Sequence, residues 1–169
     1  MFVLGIDPGL SRCGYCVLRV QARQKAEAVA LGVLATPPSE PTARRLGMIL
    51  TDIEALLEEF RPQAVALERV LFQVNVRTAM SVGQASGIVM ASAARHGCEV
   101  VEYSPNQVKQ VVGGYGSADK AQMQEMVRRI LGFEVAPQPA DAADAAAVAL
   151  CHVAYQGPLA TLAAGSAAQ

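Results

Sequence analysis

A chain of 169 residues, 52% of them hydrophobic and 17% charged, is long enough to bury one core and too short for a second large domain. No apolar stretch reaches the roughly 20 residues of a membrane span. The first residues lack the basic segment of a secretory leader, so a cytoplasmic protein is expected. A formal net charge of −1 gives no electrostatic sign of a nucleic-acid partner, and four cysteines without metal-type pairing to the two histidines argue against a disulfide framework and a zinc site.

Met1 to Ile6 reads as a short buried strand that stops at Asp7 before a Pro8-Gly9 turn. Arg12 to Val20 and Ala28 to Thr36 read as two more strands, and their short connections predict an antiparallel meander. Cys13 and Cys16 form a C-x-x-C, but three apart on a strand they face opposite sides about 10 Å away, too far for a disulfide. Pro37 to Pro41 ends the meander. Leu46, Ile49, Leu50, Ile53, Leu56, Leu57 and Phe60 then follow one helical face, which Arg61-Pro62 terminates.

Ala64 to Leu67 is a short apolar run ending in Glu68. A long helix from about Asn75 to His96 is loaded with small residues, and its Gly83 and Gly87 predict close packing against another element. Val100 to Tyr103 makes a fifth strand, and Ser104-Pro105 has the chemistry of a helix start, with the helix running through Val112. After the loop Gly113 to Gly116, Ser117 is expected to cap a helix to about Leu131. Pro139 opens the last helix, Ala140 to Tyr155. The order predicts a mixed α/β sheet in one domain over residues 1–156, followed by a frayed tail at 157–169.

Asp7 by itself could be a turn residue satisfying backbone donors. Glu68 ends a second strand in the same manner, and Asp141 and Asp144 share one face at the start of the last helix, where capping is the plainer explanation. Four carboxylates, each at the edge of an apolar element, suit a hard cation such as Mg²⁺ or Mn²⁺. Two such ions can activate a water and stabilise the leaving oxygen of a phosphodiester. Basic residues outnumber acids from Arg69 to Lys120, whereas Asp52 to Glu59 is an acidic helix face.

The stretches GIDPGLSRCGY, ALERVLF, GQASG, QVKQVVGGYGSADK and QPADAADAAAVA together resemble the RuvC crossover-junction endodeoxyribonucleases, in order and over nearly the whole chain. The resemblance implies an RNase H-like fold, a mixed five-stranded sheet with helices on both faces. It also implies a homodimer that makes paired, metal-dependent nicks in four-way (Holliday) junctions, with two Mg²⁺ or Mn²⁺ ions per active site and the RuvA-RuvB branch-migration complex as a partner. Asp7, Glu68, Asp141 and Asp144 match the family's metal-binding acids, although some relatives carry His where this chain has Asp144. Lys109 and Lys120 match basic residues near the scissile phosphate.

Arg77 is expected to hold the DNA backbone. Where the family often has two aromatics after the glutamate, this chain has Leu71-Phe72, so an apolar wedge replaces a stacking face. Leu71 is expected to face DNA and Phe72 the core. Two other readings compete. An actin-like or sugar-kinase-type phosphate-binding domain shares the Gly-x-Asp-x-Gly loop but needs two domains. A non-catalytic junction-binding scaffold would lose the acids, and all four are present.

Overall fold

Alternation along β1 (Phe2–Asp7) decides the architecture, because Val3 packs into one apolar cluster while Leu4 and Ile6 pack into another on the opposite face. The computed structural model describes residues 1–21, 25–70 and 76–156, without the side chains at 76–78. After β1 come β2 (Arg12–Val20), β3 (Ala26–Ala35), α1 (Thr42–Phe60), β4 (Ala64–Glu68), α2 (Val76–Arg95), β5 (Glu99–Tyr103), α3 (Pro105–Gly113), α4 (Lys120–Leu131) and α5 (Ala140–Tyr155). The sheet order is β3-β2-β1-β4-β5. β1, β2 and β3 form the expected antiparallel meander, and β4 and β5 add to β1 in parallel.

Helices cover both faces. Ile49, Ile53 and Leu57 of α1 and Ala85, Val89 and Ala93 of α2 bury one side together with Leu4, Ile6, Val65 and Leu67. The other side holds α3, α4 and α5, with α5 at its centre and buried along nearly its whole length. Tyr103 at the end of β5 shares a 3.0 Å hydrogen bond with His152 of α5 and stacks on Tyr155, which ties the edge of the sheet to that helix. Cys13 and Cys16 belong to opposite clusters and are free thiols, as strand parity requires.

Three local expectations need correction, and the start of one helix goes beyond its apolar pattern. β3 runs two residues earlier than its apolar pattern, and Thr36 leaves the strand to donate its hydroxyl to the Leu10 carbonyl. α1 starts at Thr42, ahead of its first apolar position, because Pro41 sets the entry conformation and the exposed first turn needs no apolar side chain. The cap of α4 is Asp119, not Ser117. Asp119 accepts from the Gln122 amide at 2.8 Å while Gln122 accepts from the Asp119 amide at 2.9 Å, a reciprocal box that Ser117 lacks. Gly83 and Gly87 do not seat an element of this chain, since a Cβ at either would meet nothing within 4 Å among the described residues.

Candidate active site

The same alternation aims two acids. Val3 and Ala66 face the α5 side, so Asp7, four positions on from Val3, and Glu68, two on from Ala66, face it too. Ile6 lies opposite Leu67 in the parallel ladder, which puts Asp7 and Glu68 at the next step of neighbouring strands about 4.8 Å apart in backbone. The Arg69 amide donates to the Tyr103 carbonyl at 2.8 Å, extending the β4–β5 ladder past Glu68 and holding its backbone. Both acids end where water begins.

The first turn of α5 closes over them. Pro139 precedes the helix and no side chain caps it by a hydrogen bond, so neither Asp141 nor Asp144 is occupied with capping. Arg12 donates from Nε at 2.9 Å and Nη2 at 2.8 Å to Oδ2 of Asp141. Lys120, the first residue of α4, donates from Nζ to Oδ2 of Asp144 at 2.9 Å. Glu68, Asp144, Lys109 and Lys120 rim a cleft of about 310 Å³ whose apolar floor includes Val108 and Met123.

Burial pushes the Asp7 carboxyl up to about 7, helped by the negative charges of Glu68, Asp144 and Asp141 and opposed by Lys120. Glu68 is raised as well, first by burial and then by Asp144, with Lys109 and Lys120 pulling the other way. Lys120 is raised by its hydrogen bond to Asp144. Crowded acids of one sign are costly unless a cation joins them.

That cost is the test of whether a divalent ion suits these residues. The donors are all carboxylate oxygens, and Cys13, which the charges of Asp7 and Asp141 also reach, stays a thiol with its pKa pushed up to about 12 mainly by burial. Such a set fits a hard oxygen-seeking cation rather than zinc. Among the described residues no three of the acids already converge to ligating distance. Arg12 holds Asp141 and Lys120 holds Asp144, so gathering the set requires turning those two exposed ion pairs, which are cheap to exchange.

A family model described as "Crossover junction endodeoxyribonuclease RuvC" matches residues 3–152, nearly the whole described chain. The chain belongs to the RuvC family. Among curated RuvC proteins, that of Heliobacterium modesticaldum is 50% identical over 151 residues, covering 89% of this chain and 93% of its own length. The RuvC of Leifsonia xyli subsp. xyli is 49% identical, covering 95% of this chain and 76% of its own. A solved structure of Thermus thermophilus RuvC in complex with Holliday junction substrate superposes with a TM-score of 0.87 at 42% identity, covering 92% of this chain and 94% of that one. The five-stranded RuvC arrangement, an RNase H-like fold, is therefore the fold of this chain.

Of the positions singled out in the sequence, Asp7, Glu68, Asp141, Asp144, Lys109 and Lys120 gather at this one end of the sheet. Leu71, Phe72 and the Arg77 side chain lie outside the described residues. Arg12 was not foreseen. Its only signal is its place shortly after the Asp7-Pro8-Gly9 turn, and nothing local says that it reaches Asp141 near the other end of the chain.

Proposed function

We infer that this chain is a structure-specific endonuclease that resolves four-way DNA junctions by hydrolysing one phosphodiester in each of two opposed strands. Family membership supports a divalent-metal-dependent crossover junction endodeoxyribonuclease. The observation that carries the reading to particular residues is the meeting of Asp7 and Glu68 with the first turn of α5 beside two lysines. Asp7, Glu68, Asp141 and Asp144 are the metal ligands in this reading, with Mg²⁺ or Mn²⁺ as the ion and two ions per site. A divalent cation held there supplies Lewis-acid stabilisation of the charge developing on the phosphate and on the leaving oxygen.

The chain's own groups do the rest. Lys120 sits on the cleft rim at the start of α4, where its ammonium can leave Asp144 for a phosphate oxygen and stabilise transition-state charge. Lys109 and Arg77 hold the DNA backbone. Leu71 is assigned to the junction bases. The nuclease domain spans residues 1–156; the tail expected at 157–169 lies outside the described residues.

Paired nicking needs two sites related by a two-fold axis, so the working unit is a homodimer. The exposed face of α2 supports it: Met80 is 63% exposed, and a Cβ at Gly83 or Gly87 would meet nothing within 4 Å among the described residues. The RuvA-RuvB branch-migration complex is the partner that delivers junctions, and the cytoplasm is the compartment. No helix among the described residues is long and apolar enough to cross a membrane.

Incubating end-labelled four-way junctions with the protein in Mg²⁺, Mn²⁺ or EDTA tests the reading. Symmetric nicks in the two metals and none in EDTA are expected. Equal cutting of linear duplex, or cutting in EDTA, would sink it.

A further inference from the structure

The residue beside Asp7 on the sheet is Gly14, its direct partner in the β1–β2 ladder and therefore on the same face. Asp141 lies over it. A Cβ at Gly14 would overlap the Asp141 carbonyl oxygen outright, stand 2.6 Å from the Asp141 carbonyl carbon and 3.2 Å from its Cβ. Gly5, on the same face of β1, is a second seat for the helix, since a Cβ there would overlap the Ala145 carbonyl oxygen and come within 2.7 Å of the Ala149 Cβ. The obstacles are mostly backbone, which no rotamer change can clear.

Conformation does not explain the glycine. The positive-φ glycines among the described residues are Gly97, Gly114 and Gly132, so any L-residue could adopt the backbone at Gly14, and only space excludes one. Gly32 on β3 offers the contrast, because the three atoms nearest to a Cβ there all belong to the Tyr15 side chain, at 3.0 to 3.1 Å.

We propose that Gly14 is a positioning residue of the active site: by carrying no side chain next to Asp7 it lets the backbone of Asp141 rest on the sheet, which sets the spacing between the two carboxylates. This rests on the assignment of Asp7 and Asp141 as ligands of one metal site. A methyl at position 14 lifts the first turn of α5 and widens that spacing, while leaving both carboxylates chemically unchanged.

The test is Mn²⁺ affinity of the full-length protein without DNA, read by calorimetry or by the resonance of free Mn²⁺, beside a thermal melt. Gly14→Ala should melt cooperatively and bind Mn²⁺ about tenfold or more weakly, whereas Gly32→Ala should stay within about twofold of wild type. A folded Gly14→Ala with a lowered melting temperature but wild-type Mn²⁺ affinity overturns the proposal, since a merely structural glycine changes stability alone. Should Gly14→Ala fail to fold, Asp141→Glu decides. It alters the same spacing by one methylene from the helix side, so about tenfold weaker Mn²⁺ binding is expected, and binding within twofold of wild type overturns the proposal. Asp141→Asn separates the two levels. If it leaves Mn²⁺ binding intact, the metal-site assignment fails and the proposal with it; if it weakens binding while Gly14→Ala does not, only the role of Gly14 is refuted.

Discussion

The two helical layers of this protein solve different problems. On the α1–α2 side the contacts are Ile49, Ile53, Leu57 and Val89 against Leu4, Ile6, Val65 and Leu67, bulky side chains that hold the helices off the sheet by their own volume. On the α5 side Ala145 and Ala149 lie against Gly5 and Asp141 lies against Gly14, so backbone lies almost on backbone. The first layer maximises buried apolar area. The second gives up area for proximity, and proximity is what carries two carboxylates of α5 to Asp7. Stability and site geometry are thus assigned to opposite faces of one sheet.

Breaking the site itself should show the largest effect. Asp7→Asn, Glu68→Gln, Asp141→Asn and Asp144→Asn are each expected to lower junction cleavage at least about 10²-fold while junction binding, followed by gel shift, survives. Cleavage by Asp144→Asn near the wild-type rate would remove that residue from the site.

The contrast between layers sharpens with a paired experiment. Ile53→Ala on the bulky side should cost about 2–5 kcal/mol of stability yet leave the single-turnover rate per folded molecule within about twofold. Ala146→Val on the close side should cost less, about 1–3 kcal/mol, and lower the rate at least tenfold, because overpacking displaces the helix that bears the acids. Chemical melts beside single-turnover cleavage read both quantities. Equal rate losses for the two variants would mean that the layers are not specialised.

Smaller effects should separate the two lysines of the cleft. Lys120→Ala is expected to reduce the rate at saturating enzyme with little change in affinity. Lys109→Ala should weaken junction binding and flatten its salt dependence by about one charge. The reverse pattern exchanges their roles.

The smallest expected signal is a pH effect on the α5 layer. Burial holds the His152 imidazole below its ordinary value of 6.5, with Glu99 opposing. The unfolded chain then takes up a proton that the fold refuses, so the His152 contribution to stability is full above about pH 6.5 and is lost as pH falls below it. In thermal melts, the gap between wild type and His152→Asn should narrow from pH 7.5 to pH 5. A constant gap would contradict this.

Much of the site was legible locally. Asp7 and Glu68 stand where apolar runs meet turn residues, and Asp141 and Asp144 open a helix behind Pro139, all signals contained in a few neighbouring residues. Helix starts were less legible where two candidates compete: Ser117 and Asp119 both suit a cap, and Gln122 at the right offset selects Asp119. Gly83 and Gly87 misled for a related reason, since a missing side chain in a helix says that something can come close without saying what, and here it is nothing among the described residues.

By itself, then, the sequence determined the order of the elements, the opposite faces of Cys13 and Cys16 and the chemical nature of the four acids, because each depends on side-chain period and turn chemistry within a short window. Only the tertiary structure decided that Arg12 meets Asp141, that Lys120 meets Asp144, and that Gly14 and Gly5 form the seat of α5. The contacts of Arg12, Gly5 and Gly14 join residues from opposite ends of the chain, and Lys120 reaches Asp144 on another helix; they exist because strand pairing and helix crossing bring together segments whose local sequences carry no record of one another.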